Sequence, residues 1–556
     1  MKRTDWYKHA IIYQIYPRSF CDTNGDGFGD IPGIISKLDY LKDLGVNCLW
    51  LSPVYDSPQV DNGYDISNYF DIYPPFGTMS DMDNLIKEAH KRDIRIIMDL
   101  VANHTSDKHP WFKDVINNPN SEYKDYYIIK KGKKNGKKPP NNWSGFFGEK
   151  AWEKLPNSED EYYLHLFAKG QPDLNWENPK LREEIKKILK FWLDKGIDGF
   201  RCDVINLISK DQQFKNGKEM LAIVGHEYYI NGPRLHEYLH ELYEDVYSHY
   251  DCMTVGETVF CNVDDEIKLV SPERQELEMI FNFDHIDTDN ILGIKYFPRK
   301  FKLTRLKKVI AKWQKGLYGK GWNSLFIENH DQRRSIGRFN TIDDEKYRVL
   351  SSKMLAASYF LLSGTPFIYQ GQEIGTTNAE FSSLEEVKDI ELHNVMKIIN
   401  KVPVLRKSLK RNAFEVSRDN ARLPIAWDDS EYSGFSTVEP WIKVHPRKDT
   451  INVKKALEDK DSIFYFYQKL ISIRKNNEVV INGDYIDLLP KDEAVMAYSR
   501  NDEHHSLVLI SNFSNKEIKR DILKQYHLQD MVLSNYCDNI LDTLKPYETR
   551  VFLIKK

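Results

Sequence analysis

The sequence predicts an α/β fold: a (β/α)8 TIM barrel with an inserted small domain after its third strand and an antiparallel β domain at the C-terminal end. Eight short apolar runs, rich in β-branched and aromatic residues, alternate with stretches whose apolar residues recur at helical spacing. Apolar strands that alternate with helices indicate a parallel sheet covered by helices, and eight such units indicate a closed barrel. Near the C-terminus the pattern changes to short strands and turns, which indicates a separate β domain.

The predicted strands are segments bounded by glycine, proline or polar residues. They are residues 10–17, 47–53, 94–101, 199–204, 253–258, 277–283, 324–331 and 366–373. Helical patterns lie between them, at 82–93 and 181–196 for example. Another helical pattern, at 305–316, carries several basic residues that we expect to face water.

The third and fourth strands are separated by residues 102–198, which is too long for a loop of a compact domain. We therefore assign the barrel to residues 1–104 and 176–478 and the inserted domain to residues 105–175. The remaining residues, 479–556, are predicted to form a C-terminal β-sandwich domain.

The composition argues against several classes of protein. Lysine and arginine total 79 against 83 acidic residues, so no overall positive field would attract nucleic acid. The six cysteines show no CxxC motif and no zinc-ligand spacing, which favours a reduced cytoplasmic chain. The N-terminal stretch lacks the apolar core of a signal peptide, and no run approaches the ~20 apolar residues of a membrane span. We expect a cytoplasmic monomer with no nucleic-acid or membrane partner.

Ionisable side chains gather where the predicted strands end, which is where β/α barrels place their active sites. They are Asp99 and His104 after the third strand, Arg201 and Asp203 on the fourth, Glu257 on the fifth, and His330 and Asp331 on the seventh. Each could instead cap a strand or a helix. Unpaired carboxylates gathered at one rim repel one another, however, so capping is a poor explanation for all of them together.

Arg201 and Asp203 are two residues apart on one strand, so their side chains point to the same face. We expect the guanidinium group of Arg201 to favour the ionised form of Asp203. An ionised carboxylate beside a protonated carboxyl group is what glycoside hydrolysis requires, and Glu257 on the neighbouring strand is the natural partner. Neighbouring parallel strands lie ~4.8 Å apart, which favours the short carboxylate separation of retaining enzymes. Asp203 would then be the nucleophile, and Glu257 the acid and later the base.

Five ordered motifs resemble those of the α-amylase family, glycoside hydrolase family 13. They are DLVANHTS (99–106), QPDLN (171–175), GFRCDVIN (199–206), VGET (255–258) and ENHDQ (328–332). Within that family the sequence is most similar to the group of oligo-1,6-glucosidases and α-glucosidases, which shares VDNGYDISNY (60–69) and SRDNAR (417–422).

The resemblance implies roles for the matching residues. Asp331 would bind sugar hydroxyls and stabilise the oxocarbenium-like transition state, as the third catalytic carboxylate. The residues implied to form the pocket around the non-reducing glucose are Asp61, Tyr64, His104, Arg201, His330 and Arg418, with Gln171 lining it. Val204 would border the leaving-group site. In similar enzymes a valine there accompanies cleavage of α-1,6 bonds, and alanine or threonine accompanies cleavage of α-1,4 bonds.

The loop DTNGDGFGD (22–30) is a candidate metal site that follows the first strand. It offers Asp22, Asn24, Asp26 and Asp30 at alternating positions, and such hard oxygen ligands suit calcium, with magnesium as the alternative. A turn rich in Asx residues is the other interpretation. Similar glucosidases carry a metal at this loop, so we expect a structural calcium ion there, with Phe28 in the ligand set. No organic cofactor is expected.

These observations predict a retaining α-glucosidase that releases glucose from the non-reducing end of short α-glucosides, with α-1,6-linked isomaltose and isomalto-oligosaccharides as the expected substrates. A trehalose-6-phosphate hydrolase is one alternative, because parts of the sequence resemble both groups. A sucrose isomerase or transglucosidase is another, because hydrolysis and transfer share the glucosyl-enzyme intermediate. A catalytically dead barrel that accompanies an amino-acid transporter is a third, against which the three candidate catalytic carboxylates argue.

Overall fold

The computed structural model describes residues 3–220, 223–291, 294–339, 344–400 and 406–556. Eight parallel strands form one sheet at its centre. They are β1 (Ile12–Ile15), β2 (Cys48–Leu51), β3 (Arg95–Val101), β4 (Gly199–Asp203), β5 (Met253–Glu257), β6 (Met279–Phe281), β7 (Ser324–Leu325) and β8 (Thr365–Tyr369). Their spatial order is β6-β5-β4-β3-β2-β1-β8-β7. The side-chain oxygen of Ser324 on β7 donates to the carbonyl of Ile280 on β6 at 2.7 Å, which joins the two ends of the sheet. The predicted (β/α)8 barrel is confirmed.

The helices surround this sheet and include the three predicted from apolar spacing. The α-helices are Ile31–Ser36, Leu38–Leu44, Met79–His90, Pro110–Asn117, Lys133–Gly136, Pro179–Asp194, His226–Tyr229, Leu235–Asp245, Val263–Val270, Leu303–Leu317, Glu345–Phe360, Ile390–Ile399, Arg406–Glu415, Val453–Glu458, Ile463–Asn476 and Glu478–Asn482. Capping residues in the sequence determine where two of these helices begin. Thr78 and Asp81 form a capping box before Met79–His90, and the Asn178 side chain caps Pro179–Asp194.

Apolar side chains fill the barrel interior below the strand ends. They include Ile12, Trp50, Ile97, Val255, Phe281 and Phe367. The rings of Trp50 and Phe281 stack with centroids 5.4 Å apart. Towards the C-terminal ends the inward side chains become polar, at Gln14, Asp99 and Arg201, all buried. The packed interior is therefore the floor of a polar site.

The seventh strand is shorter than predicted. The sequence predicts a strand over 324–331, but β7 ends at Leu325. The carboxylate of Glu328 accepts hydrogen bonds from Arg334 at 2.9 Å and from the backbone N–H of Ser335 at 2.8 Å. These bonds hold residues 328–335 in a loop, because they give the chain polar partners in place of the hydrogen bonds of a β-sheet.

Between β3 and β4 the chain forms a separate layer. After helix Pro110–Asn117, the strands Ile129–Lys131, Glu161–Leu164 and Trp152–Lys154 form an antiparallel sheet in that spatial order. Two further strands, Tyr55–Asp56 and Asn68–Ile72, make a hairpin after β2. The exact domain limits, including 105–175 for the insert, stay predictions.

The C-terminal region has two antiparallel sheets. The larger has the strands Asp484–Asp487, Val495–Asn501, His505–Asn512, Thr549–Lys555 and Met531–Ser534 in this order, and the smaller pairs Ile518–Lys519 with Thr543–Leu544. Residues 479–482, at the start of the region predicted as a β domain, are helical. The guanidinium group of Arg500 binds the carbonyls of Val480 and Gly483, which satisfies the C-terminal end of that helix.

Helix Leu303–Leu317 joins the barrel to this C-terminal region. The prediction that its basic residues all face water is wrong for Lys307, which is 1% exposed. Its ammonium group donates to the carbonyls of Leu489, Asp492 and Val495 at 2.5, 2.6 and 3.0 Å. Three carbonyls thus replace the water shell of one buried cation.

All six cysteines are free, and five of them are buried. Among the helices of the described ranges, none combines the length and the apolar character needed to cross a membrane.

Candidate active site

Arg201 gathers three carboxylates at the C-terminal ends of β3, β4 and β5. Its Nη1 donates to Asp99 Oδ1 at 2.5 Å and to Asp203 Oδ1 at 2.7 Å, and its Nη2 donates to Glu257 Oε2 at 2.5 Å. The strand register explains the contacts, since Arg201 lies opposite Asp99 on β3 and opposite Val255 on β5, two residues before Glu257. The two predicted catalytic carboxylates therefore share one cation.

Burial raises the pKa of Asp203 well above its usual value. Arg201 lowers the pKa of Asp203, whereas the charges of Glu257 and Asp99 raise it further. Arg201 favours the ionised form of Asp203, as expected, but burial and the charges of Glu257 and Asp99 outweigh its effect, because one guanidinium group faces three carboxylates. The cluster holds a proton at a higher pH than separate carboxyl groups would.

Asp331 lies in the loop after β7 among positive partners. Its Oδ1 accepts from Arg422 Nη2 at 2.8 Å and from Arg418 Nη1 at 3.4 Å, and its Oδ2 is 3.1 Å from His330 Nε2. Burial disfavours its charged form, but His330, Arg418 and Arg422 together hold the pKa of Asp331 well below its usual value. This third carboxylate therefore stays ionised beside the other two.

His330 is fully buried behind Asp331. Its ring stacks on Tyr64 with centroids 5.3 Å apart, and the Tyr64 hydroxyl lies 2.8 Å from Nε2. On the other side, Gln14 Nε2 on β1 lies 2.8 Å from His330 Nδ1. The imidazole is thus fixed between the barrel floor and the site, and Gln14 was not predicted to take part.

Arg418 connects loops from several parts of the barrel. Its Nη2 donates to Asp389 Oδ1 at 2.7 Å and to Asp61 Oδ1 at 3.2 Å, and its Nη1 reaches Asp331. From the insert, Gln171 Nε2 donates to Asp61 Oδ2 at 3.3 Å. Segments that follow β2, β3, β7 and β8 are thereby tied together along one side of the site.

His104 is a neutral member of this network. Burial lowers the pKa of His104 to about 4. Its Nε2 lies 3.1 Å from the carbonyl of Tyr64 and 3.1 Å from Gln171 Nε2. It therefore acts through hydrogen bonds and not through charge.

These side chains surround a cavity of about 270 Å³ at the C-terminal end of the barrel. Its lining residues are Asp61, Tyr64, His104, Phe146, Phe147, Phe167, Asp203, Val204, Glu257, Val259, Phe283, Lys295, Asp331, Gln332, Glu391 and Arg418. Three residues predicted for the pocket, Arg201, Gln171 and His330, lie behind the lining and hold the residues that form it. Gln171 was predicted to line the cavity, but Asp61 and His104, which contact its side chain, form that part of the wall instead.

Sequence reasoning missed one whole wall of the cavity. Phe146, Phe147 and Phe167 come from the insert, and the rings of Phe146 and Phe167 stack with centroids 5.2 Å apart. Arg418 lies 5.2 Å above the ring of Phe147, which connects this wall to the charged side. The only sequence signal was the high aromatic content, which gives no position. Asp389, the strongest partner of Arg418, belongs to none of the recognised motifs.

Val204 has a backbone conformation that valine rarely adopts. Its φ is 35° and its ψ is 41°, in the left-handed region, where a β-branched side chain is strained. The turn points its backbone N–H at Glu257 Oε2, 3.3 Å away, and its side chain into the cavity lining. The residue after the candidate nucleophile thus lines the cavity, and its place at the leaving-group site stays a prediction.

The loop 22–30 is ordered by bonds between its carboxylates and its own backbone. Asp22 accepts from the N–H groups of Gly25 and Gly27 at 2.8 and 2.9 Å, and Asp30 accepts from the N–H of Thr23 at 2.7 Å. Asp26 is exposed. The carboxylates of Asp22, Asp26 and Asp30 do not come together as a group of three in the part of the chain that the structure describes, and calcium binding at this loop stays a prediction. The loop lies at the end of β1, apart from Asp203 and Glu257.

Comparisons with known proteins agree with this geometry. Residues 14–483 match the α-amylase catalytic domain. The chain is 49% identical over 565 residues to an oligo-1,6-glucosidase of Parageobacillus thermoglucosidasius, covering 99% of both chains. It superposes on the crystal structure of a Bacillus licheniformis trehalose-6-phosphate hydrolase with a TM-score of 0.93, 44% identity and full coverage of both chains. An isomaltulose synthase of Klebsiella gives a TM-score of 0.94 at 38% identity, with 99% of each chain covered. The cluster on Arg201 and these full-length matches together show that the chain is a glycoside hydrolase and belongs to the α-amylase family.

Proposed function

We propose that the chain is a retaining α-glucosidase that releases glucose from the non-reducing end of short α-glucosides, with a preference for α-1,6 bonds. The observation that carries this proposal is the sharing of Arg201 by Asp203 and Glu257. Carboxylates bound to the two amino groups of one guanidinium lie close together. This fits the separation of ~5–5.5 Å in retaining enzymes better than the wider gap that admits a water molecule in inverting enzymes.

In the first step, a carboxylate oxygen of Asp203 attacks the anomeric carbon while Glu257 donates its proton to the glycosidic oxygen. The bond to the leaving sugar breaks, and glucose becomes an ester of Asp203. In the second step, Glu257 takes a proton from a water molecule, whose oxygen attacks the same carbon and releases Asp203. Two inversions give net retention. The ionised Asp331 stabilises the positive charge that develops on the sugar ring in both steps.

The network on Arg418 supports release of a single glucose unit. Arg418 lines the cavity and binds two other lining residues, Asp61 at 3.2 Å and Asp331 at 3.4 Å. We infer that they close the inner end of the pocket, so that one terminal sugar fits there and the rest of the substrate extends outward.

The pairing of Lys295 with Glu391 favours an uncharged substrate. Lys295 lines the cavity, and its ammonium group lies 2.7 Å from Glu391 Oε2. A sugar phosphate would have to compete with that carboxylate for the lysine. We therefore favour isomaltose over trehalose-6-phosphate.

The test compares kcat/KM for isomaltose, maltose, sucrose, trehalose and trehalose-6-phosphate, with the anomer of the first product followed by NMR. We expect isomaltose to be preferred and α-glucose to form first. Initial β-glucose would refute the retaining mechanism, and preference for trehalose-6-phosphate would refute the substrate assignment alone. Conversion of sucrose mainly into an isomer would identify a transferase.

We also propose that the loop 22–30 binds calcium, or magnesium in its place, through Asp22, Asn24, Asp26, Asp30 and the backbone of Phe28. The ion would stabilise the turn after β1 and take no part in the reaction. We further propose a cytoplasmic monomer, a location supported by the six free cysteines.

A further inference from the structure

We propose that Arg333 is a positioning residue, which holds the loop of Asp331 at a fixed distance from the segment of Arg418. The inference rests on the proposed function and deepens it, because it assumes that Asp331 and Arg418 act on the terminal glucose. Arg333 lies behind the cavity lining, so it would act through these two lining residues and not on the sugar itself.

Arg333 belongs to the loop that follows β7. It comes two residues after Asp331 and directly after Gln332, and both of these line the cavity. The neighbouring Arg334 binds Glu328 of the same loop at 2.9 Å and so fastens the loop to itself. The side chain of Arg333 is 9% exposed, and both of its carboxylate partners lie in other segments of the chain. It therefore fastens the loop to its surroundings.

One partner is Asp289, the last residue of the short 3-10 helix after β6. Arg333 Nη2 donates to Asp289 Oδ2 at 2.7 Å. Arg338, five residues further along the chain, donates to both carboxylate oxygens of Asp289, at 2.6 and 3.0 Å. Burial disfavours the charged form of Asp289, but the two guanidinium groups hold the pKa of Asp289 below its usual value. An ionised and buried carboxylate thus anchors the loop of Asp331 to the segment after β6.

The other partner is Glu415, the last residue of helix Arg406–Glu415. Arg333 Nη1 donates to its carboxylate. Arg418 follows Glu415 by three residues. The side chain of Asn420 donates to the carbonyl of Glu415 at 3.0 Å, so the end of this helix and the segment of Arg418 form one hydrogen-bonded unit. The position of Arg418 is therefore tied to Arg333.

The contact that depends on these anchors is that of Arg418 Nη1 with Asp331 Oδ1, at 3.4 Å. Arg422 binds the same oxygen at 2.8 Å, so the contact of Arg418 is the weaker of the two and is lost on a small shift. The bond between Arg333 and Glu415 joins the same two segments as this contact does. A displacement of about 1 Å at a reacting group can lower the rate by about 10²-fold. A side chain behind the wall can thus control catalysis through the distance between two lining residues.

The test measures kcat and KM of Arg333→Met with 4-nitrophenyl α-glucoside. We expect kcat to fall about tenfold while KM changes less than about threefold, because Asp331 acts mainly on the charge of the transition state. Arg333→Lys keeps a cation between the same carboxylates and should lose less activity than Arg333→Met. A kcat of Arg333→Met within about twofold of the wild type would overturn the proposal.

Glu415→Gln shows whether the effect passes through the end of the helix. The side chain of Glu415 is half exposed, so its replacement should leave the fold intact. If Arg333 acts through it, kcat of the double variant Arg333→Met, Glu415→Gln should fall by less than the product of the two single falls. Falls that simply multiply would contradict the proposal.

Arg182→Met is the matched control. The side chain of Arg182 is 12% exposed and joins two of the surrounding helices through a bond of 2.8 Å to Glu241. Its loss should lower the melting temperature without lowering kcat, and an equal fall of kcat in Arg182→Met and Arg333→Met would overturn the proposal. A wild type that cleaves a different α-glucoside would refute the proposed function alone, and the same variants would then be compared on that substrate.

Discussion

Arg201 binds the two carboxylates on which the proposed chemistry depends, so each can be removed while the other keeps its partner. We expect Asp203→Asn and Glu257→Gln to lower kcat by about 10³-fold or more, because neither amide can act as nucleophile or acid. The amides keep the size of the side chains, so the melting temperature should stay near that of the wild type. Activity in Asp203→Asn close to that of the wild type would show that another group is the nucleophile.

The raised pKa of Asp203 sets the acid side of the pH profile. The nucleophile must be ionised, so kcat/KM should fall as the pH decreases through this pKa, at a pH above about 4, the value for a free aspartate. Activity should fall again at higher pH, because the first step requires a protonated acid. The profile is measured with 4-nitrophenyl α-glucoside. An acid limb at or below about pH 4 would contradict the effect of burial on Asp203.

Val204 provides the residue-scale test of linkage preference. Its side chain lines the cavity beside Asp203, and one or two methyl groups in such a pocket discriminate between substrates by ~1–3 kcal/mol. We expect Val204→Ala and Val204→Thr to shift the ratio of kcat/KM for isomaltose and maltose towards maltose, by about 10-fold or more. Val259→Ala, at a neighbouring lining position, is the control for cavity size alone. An equal shift of this ratio in the Val204 and Val259 variants would show that Val204 has no special role in linkage preference.

At the scale of single elements, the loop 22–30 should depend on a bound cation. Chelation should lower the melting temperature and added calcium should restore it, because the ion binds only the folded loop. Asp26→Asn should weaken this response, since it removes the charge of an exposed carboxylate, whereas the amide oxygen can still accept the N–H of Phe28 that Asp26 Oδ1 binds at 2.9 Å. Immediate loss of activity on chelation, without a change in melting, would place the ion in the reaction instead.

The elements also show how far the sequence can predict the structure. Strands such as β3 and β4 are short segments buried on both faces, and the placement of Arg201 and Asp203 on one face follows from the period of two. The end of β7 and the helix Glu478–Asn482 could not be predicted, because side-chain bonds decide them: Glu328 binds Arg334 and Ser335 in the loop that follows β7, and Arg500 binds the end of the helix from another element.

The walls of the site follow the same rule. The strand-end carboxylates were predictable because a barrel brings all strand ends to one rim. Phe147 of the insert and Asp389 after β8 belong to the site through tertiary contacts with Arg418. No local sequence pattern predicts such contacts.

For the molecule as a whole, Lys307 connects the barrel with the C-terminal sheets. Lys307→Met should lower the free energy of unfolding by about 1–3 kcal/mol, since it leaves three buried carbonyls without their donor. Lys308→Met, at an exposed neighbouring position, should have little effect. The comparison is made by chemical denaturation. Equal stability of the two variants would show that the carbonyls find water or other donors.

The proposed closure of the pocket by Arg418 has a consequence for the way in which a long substrate is degraded. With the inner end shut, glucose would leave only by the opening through which the substrate entered, and the shortened chain would occupy that opening until it dissociates. We therefore expect distributive catalysis, in which each chain is released after losing one unit and a mixture of chains shortens together. The shortened chain departs first and glucose last, so accumulated glucose competes with fresh substrate for the same place.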